Sequence, residues 1–333
     1  MKFYKLVFWN ALILGTLISI SSYSWLGMWM GLEINLISII PLLVNKNSYS
    51  SEAAIKYFVT QALASMIILF VVIMMSLNIS LNLMLIQSFS FILNSSFLMK
   101  MGAAPFHFWF PEVMEGLNWV SCFLMLTWQK VAPMILLMYN SNINMFFIIV
   151  IISSMLVSGI MGLNQVSLRK ILAFSSINHI GWMIPAILVS HNIWLIYFFI
   201  YTVITFNILI IFYYFNIFYL KQVITIMSNN MVLKLFFMMN FFSLGGLPPF
   251  LGFFPKWLLI NLLISLNYFL LSFLMIIFTL ITLFYYIRVS MSTMILIHSN
   301  TFNISKLNTN MLIIFNFISL MSLFIVILSL NSF

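Results

Sequence analysis

A chain of 333 residues in which 64% are hydrophobic and 5% charged is not a water-soluble globular domain, where about a quarter of residues carry charge. Its net charge of +9 comes from 13 basic residues spread singly along the chain against four acidic ones, which excludes the clustered basic surface that nucleic acid requires. One cysteine, Cys122, excludes a cysteine-held iron–sulfur cluster, a cysteine-based zinc site and an internal disulfide.

Apolar runs recur from Phe3 to Leu330 without the alternation of a barrel strand, so the spanning elements are predicted to be helices, which satisfy their own backbone in lipid. The N-terminal stretch, Met1-Lys2-Phe3-Tyr4-Lys5 followed by Leu6 to Ile20, has neither a small-residue cleavage site nor an Arg-rich presequence, and reads as the first span. Polar and turn-rich punctuation divides the chain into eleven spans, at about 4–21, 25–44, 55–76, 82–112, 117–138, 145–163, 168–189, 192–216, 232–264, 267–289 and 311–330. The fourth and ninth are too long for one crossing. The fourth contains Gly102 and Pro105, the ninth Gly245-Gly246-Leu247-Pro248-Pro249, and each is expected to be one helix interrupted partway. The expected fold is an all-α polytopic membrane protein with two broken helices.

Charge placement supports the count. Lys46, Lys56, Arg169, Lys170, Lys221, Lys234, Arg288 and Lys306 fall in or beside loops after even-numbered spans, whereas Ser21 to Ser24, Leu77 to Leu81 and Tyr139 to Asn144 carry no charge. By the positive-inside rule the N-terminus faces the matrix or cytoplasm and the C-terminus the opposite side.

Four ionisable side chains lie deep inside the apolar stretches, where a lone charge costs on the order of 3 kcal/mol on insertion scales. Glu33 is near the centre of the second span, in Trp29-Met30-Gly31-Leu32-Glu33-Ile34-Asn35. Its functional reading is an ion partner for a lysine; its bland reading is a hydrogen-bonded carboxyl fixing helix register. Lys100 precedes the first break, where Pro105 offers no N–H to the carbonyl of Met101, so the backbone needs another partner and is expected to line a hydrated cavity. Lysine suits proton transfer because desolvation lowers its ordinary pKa of about 10.4 and a nearby carboxylate raises it. The competing reading of Lys100 is a side chain snorkelling to the interface.

Lys130, in Thr127-Trp128-Gln129-Lys130-Val131-Ala132-Pro133, is too far inside its span to reach water without a cavity. Lys256 follows the second break, where Pro248, Pro249 and Pro255 leave the carbonyls of Leu244, Gly245 and Leu251 without their usual donors. His179 shares a helix face with Ser175 and Ser176, an arrangement that suits a water chain and equally a satisfied structural histidine. Lys130, Lys256 and His179 are expected at similar depth. His107 has a weaker claim, and His191 and His298 fall in loops. Haem ligation would need two histidines at matched depth, and only His179 is clearly mid-span.

The segments Trp29 to Asn35, Leu98 to Trp109, Trp128 to Pro133, Ser167 to Gly181 and Ser243 to Phe250 resemble the signature segments of the antiporter-like membrane subunits of respiratory NADH dehydrogenase, and the resemblance runs over nearly the whole chain. It implies two inverted five-helix repeats in a single transmembrane domain, the first truncated at its front and covering about 1–138, the second about 145–289, with a terminal helix at about 311–330. The family's Glu–Lys pair matches Glu33 and Lys100, its central lysine Lys130, and its terminal-channel lysine Lys256. The resemblance further implies a proton-translocating subunit of NADH:ubiquinone oxidoreductase in the mitochondrial inner membrane, N-terminus in the matrix and C-terminus in the intermembrane space. Its partners would be the lipid bilayer and the other membrane-arm and accessory subunits. It would bind no cofactor, since NADH, FMN, iron–sulfur clusters and ubiquinone belong to other subunits. The rival reading, a free-standing antiporter exchanging Na+ or K+ for H+, would use the same lysines and broken helices. A passive spacer would have no reason to bear the insertion cost of four mid-span charges.

Overall fold

Long runs of Leu, Ile, Phe and Met leave the backbone no partners but its own carbonyls, and the chain is helical accordingly. The structure, a computed structural model, describes residues 3–45, 47–77, 83–140, 145–227 and 231–295. The helices there are α1 (Phe3–Ser21), α2 (Trp25–Leu43), α3 (Ser48–Leu77), α4 (Leu83–Met101), α5 (Trp109–Gly116), α6 (Trp119–Leu126), α7 (Trp128–Met138), α8 (Met145–Leu163), α9 (Leu168–Val189), α10 (His191–Phe215), α11 (Leu220–Met227), α12 (Met231–Gly245), α13 (Phe253–Ser265) and α14 (Phe269–Ile295). Among the described residues, eight stretches are long and apolar enough to cross a membrane: α1, α2, α3, Trp119–Met138, α8, α9, α10 and Phe269–Ser292. The eleventh expected span, at 311–330, lies outside the described residues, as do His298 and Lys306.

The two over-long spans are broken where the sequence places Gly and Pro: α4 passes into α5 and α12 into α13. Both breaks use one device. At the first, Gly102 has φ 74°, its N–H donates to the Met99 carbonyl at 3.2 Å, and the Ala103 N–H donates to Leu98 at 3.0 Å. At the second, Gly246 has φ 78°, its N–H donates to Ser243 at 3.1 Å, and the Leu247 N–H donates to Phe242 at 3.2 Å. This is the glycine-capped helix end in which a left-handed residue turns two N–H groups back onto the last turn. A cis proline follows each glycine by three residues, Pro105 and Pro249. With both breaks in view, the sequence carries one pattern twice at equal spacing: Gly102, Pro105-Phe106, Phe110-Pro111-Glu112, and Gly246, Pro249-Phe250, Phe254-Pro255-Lys256.

The fifth span, expected as one helix, is interrupted at Thr127 between α6 and α7. The Thr127 hydroxyl donates back to the Phe123 carbonyl at 2.7 Å, and the Lys130 N–H tightens onto the Thr127 carbonyl at 3.1 Å instead of reaching a full turn back.

The chain divides into two compact units, Met1–Val150 and Ile151–Phe333. In the first, α1 lies along α2 through small residues: a Cβ on Gly31 would overlap the backbone of Ser19, and one on Gly15 would come within 2.9 Å of the Asn35 nitrogen. There α3 packs on α2, α4 and α5, and α4 on α7. In the second unit α9 is the core helix, buried almost continuously from Ile171 to Ile187 and packed by α10, α13 and α14.

Candidate functional site

In the first unit, Glu33 on α2 is half-buried, and among the described residues no ion pair within 4.0 Å joins it to Lys100. Lys100, the penultimate residue of α4, is 6% exposed; Lys130, in the first turn of α7, is 1% exposed. The Lys130 ammonium stands 5.4 Å from the centre of the Phe110 ring on α5, a cation–π distance that offers a desolvated charge a partner without fixing its proton.

A polar chain runs beside these lysines. The Tyr57 hydroxyl donates to Gln129 Oε1 at 3.1 Å, Gln129 Nε2 donates to Asn35 Oδ1 at 2.9 Å, and Gln61 Nε2 donates to the Lys100 carbonyl at 3.3 Å. Sequence reasoning missed Tyr57 and Gln61 and quoted Asn35 and Gln129 without using them. The available signal was an amide or hydroxyl placed mid-span in an otherwise apolar helix, where each needs a partner.

In the second unit, Lys256 on the first turn of α13 is 6% exposed and folds back across the break, donating from Nζ to the Gly245 carbonyl at 2.8 Å. That carbonyl is the one Pro249 leaves without a helical donor, and it ends α12, where the helix dipole is negative. Gly246 makes the approach possible: a Cβ there would lie 2.8 Å from both Cδ and Nζ of Lys256. The Trp182 ring centre is 5.6 Å from the ammonium.

His179, 4% exposed, is three residues before Trp182 on α9, and its Nδ1 is 2.9 Å from the Tyr197 hydroxyl. Ser175 and Ser176 do share its helix, but their hydroxyl protons go to the carbonyls of Leu172 and Ala173, leaving only oxygen lone pairs for a chain. Four tyrosines unforeseen from sequence complete the surroundings. Tyr201 packs against His179 with ring centres 4.9 Å apart and planes tilted by 47°, and has its hydroxyl beside Ser176; Tyr286 lies beside Ser175 and against Tyr285, and Tyr197 makes the bond already described. Tyrosines favour membrane interfaces, so four inside apolar spans were the missed signal.

His107 is buried at the first break, its Nδ1 3.3 Å from the Pro105 carbonyl; His191 is exposed. In the repeated pattern Glu112 takes the place of Lys256, yet it is exposed and bonds to Lys56 at 3.0 Å, with Glu52 at 3.0 Å on the other side. The same local backbone thus holds a buried cation at one break and a solvated ion pair at the other. Within each unit, buried titratable groups lie beside hydroxyls and amides, an arrangement suited to taking up and releasing protons.

The family profile described as NADH:quinone oxidoreductase/Mrp antiporter, TM, matches residues 22–282. The chain is 49% identical to the NADH-ubiquinone oxidoreductase chain 2 of Anopheles gambiae over 94% of each chain, and 47% identical to that of Aedes aegypti over 97% of this chain and 96% of the relative. Among solved structures, a chain of respiratory complex I from Thermus thermophilus superposes with a TM-score of 0.86 at 22% identity, covering 97% of this chain and 78% of that one, and so shares its fold. The chain belongs to the NADH:quinone oxidoreductase/Mrp antiporter transmembrane family.

Proposed function

We propose that the chain, as a member of that family, moves protons across the membrane through Glu33, Lys100, Lys130, Lys256 and His179. It is a membrane subunit of NADH:ubiquinone oxidoreductase, the respiratory complex its relatives are named for, and it works among that complex's other membrane-arm subunits. The redox groups, NADH, FMN, iron–sulfur clusters and ubiquinone, belong to other subunits. We place the N-terminus in the mitochondrial matrix and the C-terminus in the intermembrane space, on the charge pattern of the loops. We assign the two repeats to about 1–138 and 145–289, followed by a terminal helix at about 311–330; the division of the chain into the units Met1–Val150 and Ile151–Phe333 supports a boundary between them.

One observation carries the reading. Each of the three buried lysines stands at an interruption of the helical backbone: Lys100 before Gly102, Lys130 after Thr127 and Lys256 after Gly246. An intact helix offers an ammonium no acceptor, whereas an interrupted one supplies carbonyls and room for water. Protonated Lys256 is held by the Gly245 carbonyl with a charge-assisted bond; once it gives up its proton the amine bonds more weakly and swings away. Glu33 does the corresponding work for Lys100, its carboxylate favouring the ammonium while the two are close.

The free-standing antiporter is not favoured, because relatives alike over almost the whole chain are named as a subunit of the oxidoreductase. Gentle solubilisation of the native membrane separates the two. The chain should travel with a very large particle that oxidises NADH; recovery as a small oligomer without that activity would support the antiporter.

A further inference from the structure

The four acidic residues of the chain, Glu33, Glu52, Glu112 and Glu115, all precede Val150, so the second unit holds no Asp or Glu side chain. Its basic residues are Arg169, Lys170, Lys221, Lys234, Lys256, Arg288 and Lys306. Lys256 is buried at its break, and Lys306 lies outside the described residues. The other five share one end of the unit: α9 begins there, α10 returns to it, α11 and α12 follow, and α14 closes there with Arg288 about two turns before its last residue. The turns at the opposite end, 189–191 and 266–268, carry no Lys or Arg.

The cationic end is a built surface. The loops ahead of α9 and α11 are joined by an antiparallel bridge between Ser167 and Tyr219, in which the Leu168 N–H donates to the Phe218 carbonyl at 3.0 Å and the Leu220 N–H to the Val166 carbonyl at 3.2 Å. Gln222 Oε1 accepts from the N–H groups of Phe218 and Tyr219 at 2.7 and 3.1 Å. Val223 is buried where α11 packs on α12 and α14, and Lys221 is exposed. The Arg169 guanidinium lies over the Phe218 ring, 4.8 Å from its centre. Tyr213, Tyr214 and Tyr219 are exposed at the same end. Exposed tyrosines at the ends of apolar helices settle at headgroup depth, which puts these cations at the level of lipid phosphates.

We infer that this end of the second unit binds the phosphate of an anionic phospholipid, with Arg169 and Lys221 as its principal contacts. A guanidinium offers paired N–H donors that match two phosphate oxygens, and an ammonium adds a compact charge. The bridge holds the two loops that carry them side by side. Lys170, Lys234 and Arg288 extend the positive field, and each basic residue facing an anionic leaflet adds about fivefold in affinity. Orienting the chain in the membrane needs charge alone, whereas here the N–H groups of Leu168, Phe218, Tyr219 and Leu220 are all committed to fixing the loops. The tyrosines favour lipid over an acidic protein, because they set the cations within the headgroup layer. None of these residues belongs to the proposed proton path.

The test uses the assembled complex, purified in detergent and exchanged into phosphatidylcholine, with photoactivatable phosphatidylglycerol and phosphatidylcholine probes of the same acyl chains. At limiting concentration the phosphatidylglycerol probe should label peptides covering 164–171 and 217–224. Combining Arg169→Gln with Lys221→Gln should lower that labelling by about thirtyfold, with the phosphatidylcholine probe unaffected and NADH oxidation by an artificial acceptor unchanged. Equal labelling by the two probes in the wild-type complex, or undiminished labelling of the double variant, overturns the proposal. Displacement of the label by inorganic phosphate also overturns it, making free phosphate the ligand, and carbodiimide coupling of Lys221 to a carboxylate of another subunit does so in favour of an acidic protein. If the double variant fails to assemble, a high-resolution map of the wild-type complex decides. A phospholipid phosphate within hydrogen-bond reach of Arg169 and Lys221 supports the assignment, and a protein carboxylate or bulk solvent there refutes it.

Discussion

Replacing Gly246 by alanine should silence proton movement through Lys256 while leaving the fold largely in place. Two costs follow from the geometry. With φ at 78°, Gly246 occupies the left-handed region, where a Cβ costs about 1–2 kcal/mol. The same Cβ would lie 2.8 Å from Nζ and Cδ of Lys256 and 3.0 Å from Cε, so the lysine must leave the Gly245 carbonyl and give up a charged hydrogen bond worth about 1.5–3 kcal/mol. Gly102→Ala is the matched control. Its φ of 74° brings the same backbone penalty, but its nearest neighbour is the Phe110 Cβ at 3.2 Å, and no lysine is displaced. The difference between the two variants isolates the seat of Lys256, and at about 1.4 kcal/mol per tenfold it amounts to a further ten- to hundredfold loss for Gly246→Ala. The assay is the initial rate of acidification in liposomes carrying the assembled complex, normalised to NADH oxidation by an artificial acceptor. Equal loss in the two variants would refute the reasoning, since backbone strain alone would then explain both.

Tyr197→Phe should remove about 1 kcal/mol from the setting of His179 and slow coupled turnover by about fivefold with the helix packing retained; unchanged turnover would return His179 to a structural role. Glu112→Gln should alter thermal stability by less than about 1 kcal/mol and leave pumping intact, because its pairing with Lys56 is solvent-exposed; a pumping defect would show that this ion pair takes part in proton movement. Single cysteines at Asn47 and Tyr23, both exposed, should react with a membrane-impermeant reagent from opposite faces, with the native Cys122 buried and silent; labelling of both from one face would break the proposed topology.

Helix positions were legible in the sequence because lipid leaves the chain so few options. The polar intervals at Ser21 to Ser24 and around Val189 to His191 are helix ends, whereas the polar stretch from Ser48 to Lys56, ahead of the third span expected at 55–76, is itself the first part of α3. The breaks at Pro105 and Pro249 were legible for the same reason: a proline withdraws a named donor, and the Gly245 carbonyl so exposed is the one Lys256 takes. The interruption at Thr127 was not legible, because a threonine inside a helix usually returns its hydroxyl to the preceding turn without opening the backbone. The lysines announced themselves by charge. Their neutral neighbours did not: Tyr57, Gln61, Tyr197, Tyr201, Tyr285 and Tyr286 matter through partners from other helices, and spacing along one helix carries no record of them. The likeness of the two breaks became plain only once both glycine caps could be aligned, since the tenth residue after each is Glu112 in one and Lys256 in the other.

The role of the intramembrane charges is tested most directly by the pair at Glu33 and Lys100, measured as proton translocation by Glu33→Gln, Lys100→Met and the double variant in complexes that oxidise NADH normally with an artificial acceptor. If the carboxylate and the ammonium act as one unit, either single change stops most pumping and the double variant is scarcely worse than the worse single one. Losses that add in activation free energy, or pumping preserved in either single variant, would remove the pair from the proton path and leave Glu33 a structural carboxyl.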